Sequence, residues 1–281
     1  MPSPPGLDLP RTCEVVMKKL GRVFLVGGGP GDPDLITMKA VRVLSQADVV
    51  VYDRLVSDEV LEIIPKTTRM IRVGKAPKCH PVPQGEINRI LIHEAAEGRT
   101  VARLKGGDPF IFGRGSEEVL ALTTAGLCVE VVPGITAAQG CSATTGVPLT
   151  HRGLATGVRY VTGHCRHDEP LDLDWEGLAD PDTTLVIYMG AANIAQIASR
   201  LAASGLTPKT PVLAVNNGTT PCERHLVSDV ANIAKDAAAA EFSGPVLFIV
   251  GRVVHLYGAA PQRILPACFV PFPAHRVDAH V

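Results

Sequence analysis

Through the first half of the chain, short β-branched runs alternate with stretches whose apolar positions recur every three or four residues. That alternation predicts parallel α/β units. Strands are expected at 22–27, 48–52, 69–73, 100–104 and 128–132, and helices at 37–46, 57–64, 84–97 and 116–125. Thr37 stands as N-cap before Met38, Val41 and Leu44 at helical spacing. Ile87, Ile90, Leu91 and Ala95 share one stripe of the 84–97 helix. The 116–125 helix opens on Ser116 as cap, carries Glu117 and Glu118 where the helix dipole favours acids, and closes at Gly126.

Pro133-Gly134-Ile135-Thr136-Ala137 reads as a hinge. Beyond it come a small-residue helix at 137–144 and strands near 157–162, 183–189, 211–216, 224–228 and 245–251. Helices near 191–203 and 229–240 separate some of these strands, and Ile194, Ile197 and Leu201 form the buried stripe of the first. The adjacent 211–216 and 224–228 strands suggest an antiparallel pair. The expected architecture is therefore two α/β domains, 21–133 and 134–258, with the active-site cleft between them. The ends, 1–20 and 259–281, are rich in Pro and small residues and read as flexible segments.

Two turns break this pattern with chemistry. Val26-Gly-Gly-Gly-Pro-Gly-Asp-Pro33 follows the first strand, and Lys105-Gly-Gly-Asp-Pro-Phe-Ile-Phe-Gly-Arg-Gly115 follows the fourth. Glycine admits φ > 0 and leaves room for a ligand against the main chain, while proline fixes the exit. The first turn lies at the carboxyl edge of a sheet, where open α/β sheets bind ligands. A Rossmann loop is excluded, because its third glycine falls where Asp32 stands before Pro33. A Walker loop is excluded because no G-K-[ST] follows the glycines.

The 281 residues carry a net charge of −1, which offers no electrostatic footprint for nucleic acid. No apolar run approaches the roughly 20 residues of a membrane span, and the N-terminus lacks a secretory pattern. Seven scattered cysteines, without C-x-x-C or zinc-like spacing, read as reduced, mostly buried thiols in a cytoplasm. Cys165-Arg-His167 beside His164 is the one local arrangement suggestive of a metal, and reduced thiols are the preferred account of it.

Taken together, the motifs resemble the uroporphyrinogen-III C-methyltransferases of the S-adenosylmethionine-dependent tetrapyrrole methylases. Besides the two glycine turns, the match includes Val51-Tyr-Asp-Arg-Leu-Val-Ser57, Val73-Gly-Lys75 and Val132-Pro-Gly-Ile-Thr-Ala-Ala138. It continues through Gly146-Val-Pro-Leu-Thr-His-Arg152, Val161-Thr-Gly-His164 and Tyr188-Met-Gly190. The glycine turns are common to the wider superfamily. Tyr52–Ser57 and Pro148–Arg152 point to the uroporphyrinogen branch. Two stretches depart from the family pattern, Asn216-Asn-Gly-Thr219 and Gly153-Leu-Ala-Thr after Arg152.

The resemblance implies methylation of uroporphyrinogen III at C2 and C7, giving precorrin-2 via precorrin-1 and two S-adenosylhomocysteines. It implies a cytoplasmic homodimer that needs no metal, nucleic acid or membrane. Sirohaem, cobalamin and haem d1 all draw on precorrin-2. The family positions for S-adenosyl-L-methionine and its product S-adenosyl-L-homocysteine fall on Pro30, Gly106, Gly107, Asp108, Ile111, Thr136, Ala137, Met189 and Gly218. Its proton acceptor falls on Asp53, and Lys75 takes the place of a proton donor or charge partner.

The chemistry is consistent with those residue types. A sulfonium donor calls for a snug cradle that orients the methyl group and not for a strongly anionic pocket, which would stabilise the charged ground state. Met189 reads equally well as core, and Gly218 alone reads as an ordinary turn glycine. An octacarboxylate substrate calls for cationic anchors, and arginine binds carboxylate in a bidentate fork. Arg54, Arg114 and Arg152 are the candidates, although a solvated surface position accounts for any one of them alone. Glu117 either orients Arg114 or caps the helix dipole, and capping is the simpler account. Asp53 in Tyr-Asp-Arg serves either as base or in a structural ion pair. Two alternatives remain: a methylase of a later precorrin or cobalt-precorrin, and a non-catalytic tetrapyrrole-binding dimer.

Overall fold

The computed structural model describes residues 20–74, 82–164 and 171–258. The chain opens with β1 (Arg22–Gly27), α1 (Met38–Gln46), β2 (Val49–Tyr52), α2 (Asp58–Leu61) and β3 (Arg69–Arg72). α3 (Gln84–Ala96), β4 (Thr100–Lys105), α4 (Gly115–Thr124) and β5 (Cys128–Val132) follow. The five strands form one parallel sheet in the order β3-β2-β4-β1-β5. The inner strands β1, β2 and β4 are largely buried on both faces, as a parallel sheet covered on both sides requires, while the edge strands β3 and β5 stay partly exposed. Val26, Val50, Ala102 and Leu104 pack with Ala40 and Leu44 of α1 and Val60 of α2. Val23, Leu25, Val51 and Val101 pack with Leu91 and Ala95 of α3 and Leu122 of α4. Each fully buried aliphatic side chain of this kind contributes about 1.5–3 kcal/mol.

Register decides what meets at the carboxyl edge. Gly27 pairs with Lys105, Tyr52 with Leu104, and Val26 with both Leu104 and Val132. The loops that begin at residues 28, 53, 106 and 133 therefore leave the sheet side by side.

The rest of the chain contributes α5 (Ala137–Thr145), β6 (Gly157–Thr162), α6 (Trp175–Leu178), β7 (Thr183–Tyr188) and α7 (Ile194–Ala203). It ends with β8 (Pro211–Asn216), β9 (Arg224–Asp229), α8 (Ile233–Ala239) and β10 (Val246–Val250). Its sheet runs β6-β7-β10-β8-β9, parallel only between β6 and β7. The expected antiparallel pair is β8 with β9, from Pro211 opposite Asp229 to Asn216 opposite Arg224. Ala138 and Cys141 of α5 pack with Val186, Leu213, Val215 and Ile249 on one face. Ile194, Ile197 and Leu201 pack with Ile187, Ala214 and Phe248 on the other. The chain thus forms the two α/β layers expected from its pattern.

Several boundaries differ from the sequence reading. The 57–64 helix is only the four residues of α2, capped by Ser57, whose hydroxyl accepts from the Val60 amide at 3.3 Å. The 229–240 helix begins at Ile233, after a turn in which the Asn232 amide donates to Asp229 at 2.9 Å. Ser116 does not cap α4. The helix starts at Gly115, and Arg114 holds the N-cap at φ 56° without a side-chain cap bond. A Cβ at Gly115 would strike the Pro109 carbonyl, so the chain turns back too tightly there for a serine-capped start one residue later. α6 is too short to show a period and is announced only by its cap, Asp174, which accepts from the Gly177 amide at 3.1 Å.

Cys13, Cys79, Cys165, His167 and Cys268, with nearly all of both terminal segments, lie outside the described residues. Cys128, Cys141 and Cys222 are free thiols, and of these only Cys141 is buried as expected, Cys128 and Cys222 being exposed. Among the described residues no helix is long and apolar enough to cross a membrane.

Candidate active site

The two glycine turns are joined to each other. The Gly107 amide donates to the Gly29 carbonyl at 2.6 Å, and the Gly29 amide returns a bond to the Gly107 carbonyl at 3.2 Å. The third segment is the 133–136 stretch. A Cβ at Gly27 would stand 2.5 Å from the Gly134 nitrogen, and one at Gly134 would collide with the Gly107 carbonyl. Backbone therefore packs on backbone where the β1, β4 and β5 loops leave the sheet, and only glycine permits that approach. Asp108 locks the junction, because its carboxylate accepts from the Gly134 amide at 3.0 Å and the Phe110 amide at 2.8 Å.

Gly107 has φ 69°, and a Cβ there would meet no neighbour closer than the Thr136 Cα at 4.0 Å. It thus turns bare main chain toward open space, the shape a ligand-facing backbone cradle needs. Gly106 faces the other way, for its Cβ would stand 2.8 Å from the Leu55 carbonyl. That contact sets the glycine turn against the Asp53-Arg54-Leu55 loop. Ile111 is half-buried one turn further on, its amide donating to the Asp108 carbonyl at 3.3 Å.

The second layer closes on the same place. A Cβ at Gly140 would stand 2.6 Å from Pro30, so α5 lies directly against the first glycine turn. Gly218 is packed so closely on Cys141 that a Cβ would strike its sulfur. Thr219, held at φ 64°, accepts from the Asp32 amide at 3.2 Å. Tyr188 ends β7 with its hydroxyl 2.6 Å from that of Thr136 and accepts from the Ala138 amide at 3.1 Å. Burial pushes the Tyr188 hydroxyl pKa up, so it stays a neutral partner. The next residue, Met189, is exposed at φ 54°. Pro30, Gly107, Thr136, Ala137, Met189 and Gly218 thus gather around one junction.

A cavity of about 400 Å³ opens beside it, lined by Phe110, Phe112, Arg114, Gly115, Glu117, Thr162 and Met189 among others. Phe112 lies 5.0 Å from the Tyr188 ring, which ties the cavity wall to the junction. Arg114 and Glu117 form a two-point fork at 2.9 and 2.6 Å. Both readings of Glu117 are met, since it forms this fork with Arg114 and also lies in the first turn of α4. The hydrogen bond to Glu117 raises the guanidinium pKa, so Arg114 is a permanent cation on the cavity rim. Arg152 is exposed on the turn bridged by His151 and Ala155, and neither it nor Arg54 lines this cavity.

Asp53 is one-quarter exposed at the end of β2. One carboxylate oxygen accepts from the Leu55 amide at 3.1 Å, and the other faces the Arg103 guanidinium at 3.3 Å. The ion pair considered from sequence is therefore present, with an arginine the sequence reading did not select. Lys75 lies outside the described residues.

Arg103 belongs to a charged group that the pattern reading passed over. Arg103, Lys105 and Glu118 are buried at 2, 5 and 0 % exposure in the middle of an apolar layer. Glu118 accepts from Arg103 Nε at 3.2 Å, from Lys105 Nζ at 3.1 Å on both oxygens, and from Gln84 at 3.0 Å. Burial, with Arg103 nearby, lowers the Lys105 pKa. The available signal was two charged residues inside the strand run Val101-Ala-Arg-Leu-Lys105, since such groups are rarely buried unless paired. A second missed chain runs from Tyr257 to His225 at 3.0 Å, to Glu223 at 2.5 Å, and on to the Thr219 amide.

A twin-layered α/β fold with a glycine-lined junction at the sheet edge is the arrangement of a methylase of tetrapyrroles, and the chain belongs to that family. The family model for tetrapyrrole (corrin/porphyrin) methylases matches residues 22–234. The chain is 58 % identical over 247 residues to the uroporphyrinogen-III C-methyltransferase of Paracoccus denitrificans, covering 87 % of this chain and 86 % of that one. It is 50 % identical over 240 residues to the siroheme synthase of Hahella chejuensis, covering 85 % of this chain and 51 % of that longer protein. Its fold superposes on the Thermus thermophilus uroporphyrin-III C-methyl transferase complexed with S-adenyl homocysteine. That likeness has a TM-score of 0.73 at 43 % identity, over 84 % of this chain and 100 % of the other.

Proposed function

We propose that this protein is an S-adenosylmethionine-dependent C-methyltransferase that methylates uroporphyrinogen III at C2 and C7, yielding precorrin-2 via precorrin-1. The observation that carries the reading is the Gly29–Gly107 pairing, which presents uncovered main chain at Gly107 beside Thr136. Family membership and the 58 % identical relative add the substrate.

S-adenosylmethionine supplies an electrophilic methyl group on a sulfonium when bound. Pro30, Gly106, Gly107, Asp108, Ile111, Thr136, Ala137, Met189 and Gly218 would hold it, with Asp108 acting through the turn it locks. The cradle orients the methyl group by shape and backbone dipoles, so binding adds little charge stabilisation that the transition state would have to forfeit. Arg114, steadied by Glu117, anchors substrate carboxylate on the cavity rim, and Arg54 and Arg152 extend the cationic set. Methylation of a pyrrole carbon leaves a cation that must lose a proton from a neighbouring position. Asp53 accepts it, being the carboxylate that reaches solvent at the edge beside the Gly106 turn. Lys75 is the proposed proton donor.

The reading includes the division of the chain at 133/134 into two domains, a cytoplasmic setting and a homodimer with a mainly apolar, two-fold interface. The separate cores beneath the two sheets support the division. The exposed Met38, Leu55 and Leu120 are apolar surface of the kind such an interface covers. The test is incubation with S-adenosylmethionine and uroporphyrinogen III without oxygen. Appearance of the precorrin-2 spectrum supports the reading, whereas turnover only of an already methylated precorrin would make the protein a later methylase.

A further inference from the structure

The charges behind Asp53 form a chain that no assigned role uses. Asp53 is its solvent-facing end, Arg103 its link and Glu118 its fully buried anchor, with Lys105 and Gln84 completing the set of donors to Glu118. The chain crosses three elements, since Asp53 follows β2, Arg103 and Lys105 lie on β4, and Glu118 projects from α4. Arg114, at the cap of the same helix, also feels the Glu118 charge.

Two features set this group apart from an ordinary buried ion pair. First, it is electrically closed, because two carboxylates face two cations. Burying three of these charges is costly, and replacement by apolar residues is often neutral or stabilising, so stability alone gives no reason for the group's presence. Second, the planar guanidinium is fixed on every side. Nε is held by Glu118 at 3.2 Å, Nη1 by the carbonyls of Val51 at 3.4 Å and Leu104 at 3.1 Å, and Nη2 points at Asp53. A rigid fork held from behind fixes both the place of the Asp53 carboxylate and the share of positive charge it feels. Glu118 draws on the same guanidinium, so it tempers that share.

We propose that Glu118 is a positioning residue for methyl transfer, acting through Arg103 on Asp53; the inference rests on the reading of Asp53 as proton acceptor. Glu118 touches neither substrate nor donor. Its carboxylate holds Arg103 in the one orientation that faces Asp53, and Lys105 pins that carboxylate through both oxygens. A residue of this kind supports the proton-accepting step and leaves ligand affinity alone.

The test is a double-mutant cycle on the full chain with uroporphyrinogen III and S-adenosylmethionine. Glu118→Gln keeps the shape and removes the charge. It is expected to lower kcat about tenfold or more, with KM and S-adenosylhomocysteine affinity within about twofold of wild type. In an Asp53→Asn background the same substitution is expected to cost nothing further, because it acts through the carboxylate already removed. Should Glu118→Gln fail to fold, Lys105→Met/Glu118→Gln, which removes the paired charges together, takes its place in the cycle. Losses that add across the cycle, a fall in S-adenosylhomocysteine affinity equal to the fall in kcat, or wild-type turnover in Glu118→Gln would each overturn the proposal. Wild-type turnover in Asp53→Asn would instead remove the proton-acceptor reading on which it rests.

Discussion

Gly29 and Gly107 bond to each other through both of their amides and carbonyls, 78 residues apart in sequence and at the ends of adjacent parallel strands. The two glycine turns are therefore one structure, and damage to either reaches both.

Gly107→Val is expected to abolish S-adenosylhomocysteine binding and leave the fold in place. The added side chain projects into space bounded only by Thr136 at 4.0 Å, which is where the ligand would lie. A β-branched residue at φ 69° adds strain of about 1–3 kcal/mol. Calorimetry checks the affinity and circular dichroism checks the fold. Unchanged affinity would remove the cradle from this turn.

Glu223 fixes the Thr219 amide from behind while Thr219 receives the Asp32 amide, so one carboxylate secures the contact between the second layer and the first glycine turn. Glu223→Ala leaves that amide unpaired, at a cost of about 1–3 kcal/mol. A fall of roughly tenfold or more in S-adenosylhomocysteine affinity is expected, with melting temperature less affected, since the loop carries little core.

Substitution of Arg114 and Arg152 tests their proposed role in holding substrate and not donor. Alanine at either position is expected to raise KM for uroporphyrinogen III or abolish turnover, with S-adenosylhomocysteine affinity near wild type. Lysine is expected to rescue only in part, since a point charge lacks the planar fork. Wild-type turnover of the double alanine variant would place the porphyrinogen elsewhere.

Cys141 gives a prediction in pH. Burial disfavours its thiolate and Glu223 adds to the effect, which pushes its pKa up to about 12. At pH 8 it stays a thiol. Alkylation followed by mass spectrometry should label the exposed Cys128 and Cys222 and spare Cys141 until the protein is unfolded.

Much of this was legible in the chain because strand and helix periods are strong in it. β1 and β5 fall where the pattern put them, and Thr37 caps α1 as expected, accepting from the Ala40 amide at 3.1 Å. The glycine turns advertised a close approach of backbone, but not that the approach was to each other, because sequence carries no register. Glu118 shows the limit most clearly. Its place in a first helical turn suited a dipole argument, yet it lies fully buried on two cations from another element. Binary patterning marks such a residue polar and assigns it to solvent. Arg114 at the N-cap escaped for a related reason, since tight packing of Gly115 on Pro109, and not capping propensity, fixes where α4 starts.

Assembly is tested by sedimentation at micromolar concentration. A species of twice the 29.7 kDa chain mass is expected from the proposed two-fold interface. A single-chain species alone would contradict it.

The central claim, that this junction transfers two methyl groups to one tetrapyrrole, is tested most directly by stoichiometry. Purified protein is mixed with excess S-adenosylmethionine and limiting uroporphyrinogen III without oxygen, and S-adenosylhomocysteine is counted against substrate consumed. About two equivalents at completion, with the precorrin-2 spectrum, is the result expected from methylation at C2 and C7. Tetrapyrrole binding with no S-adenosylhomocysteine released would contradict the account and leave a carrier in its place.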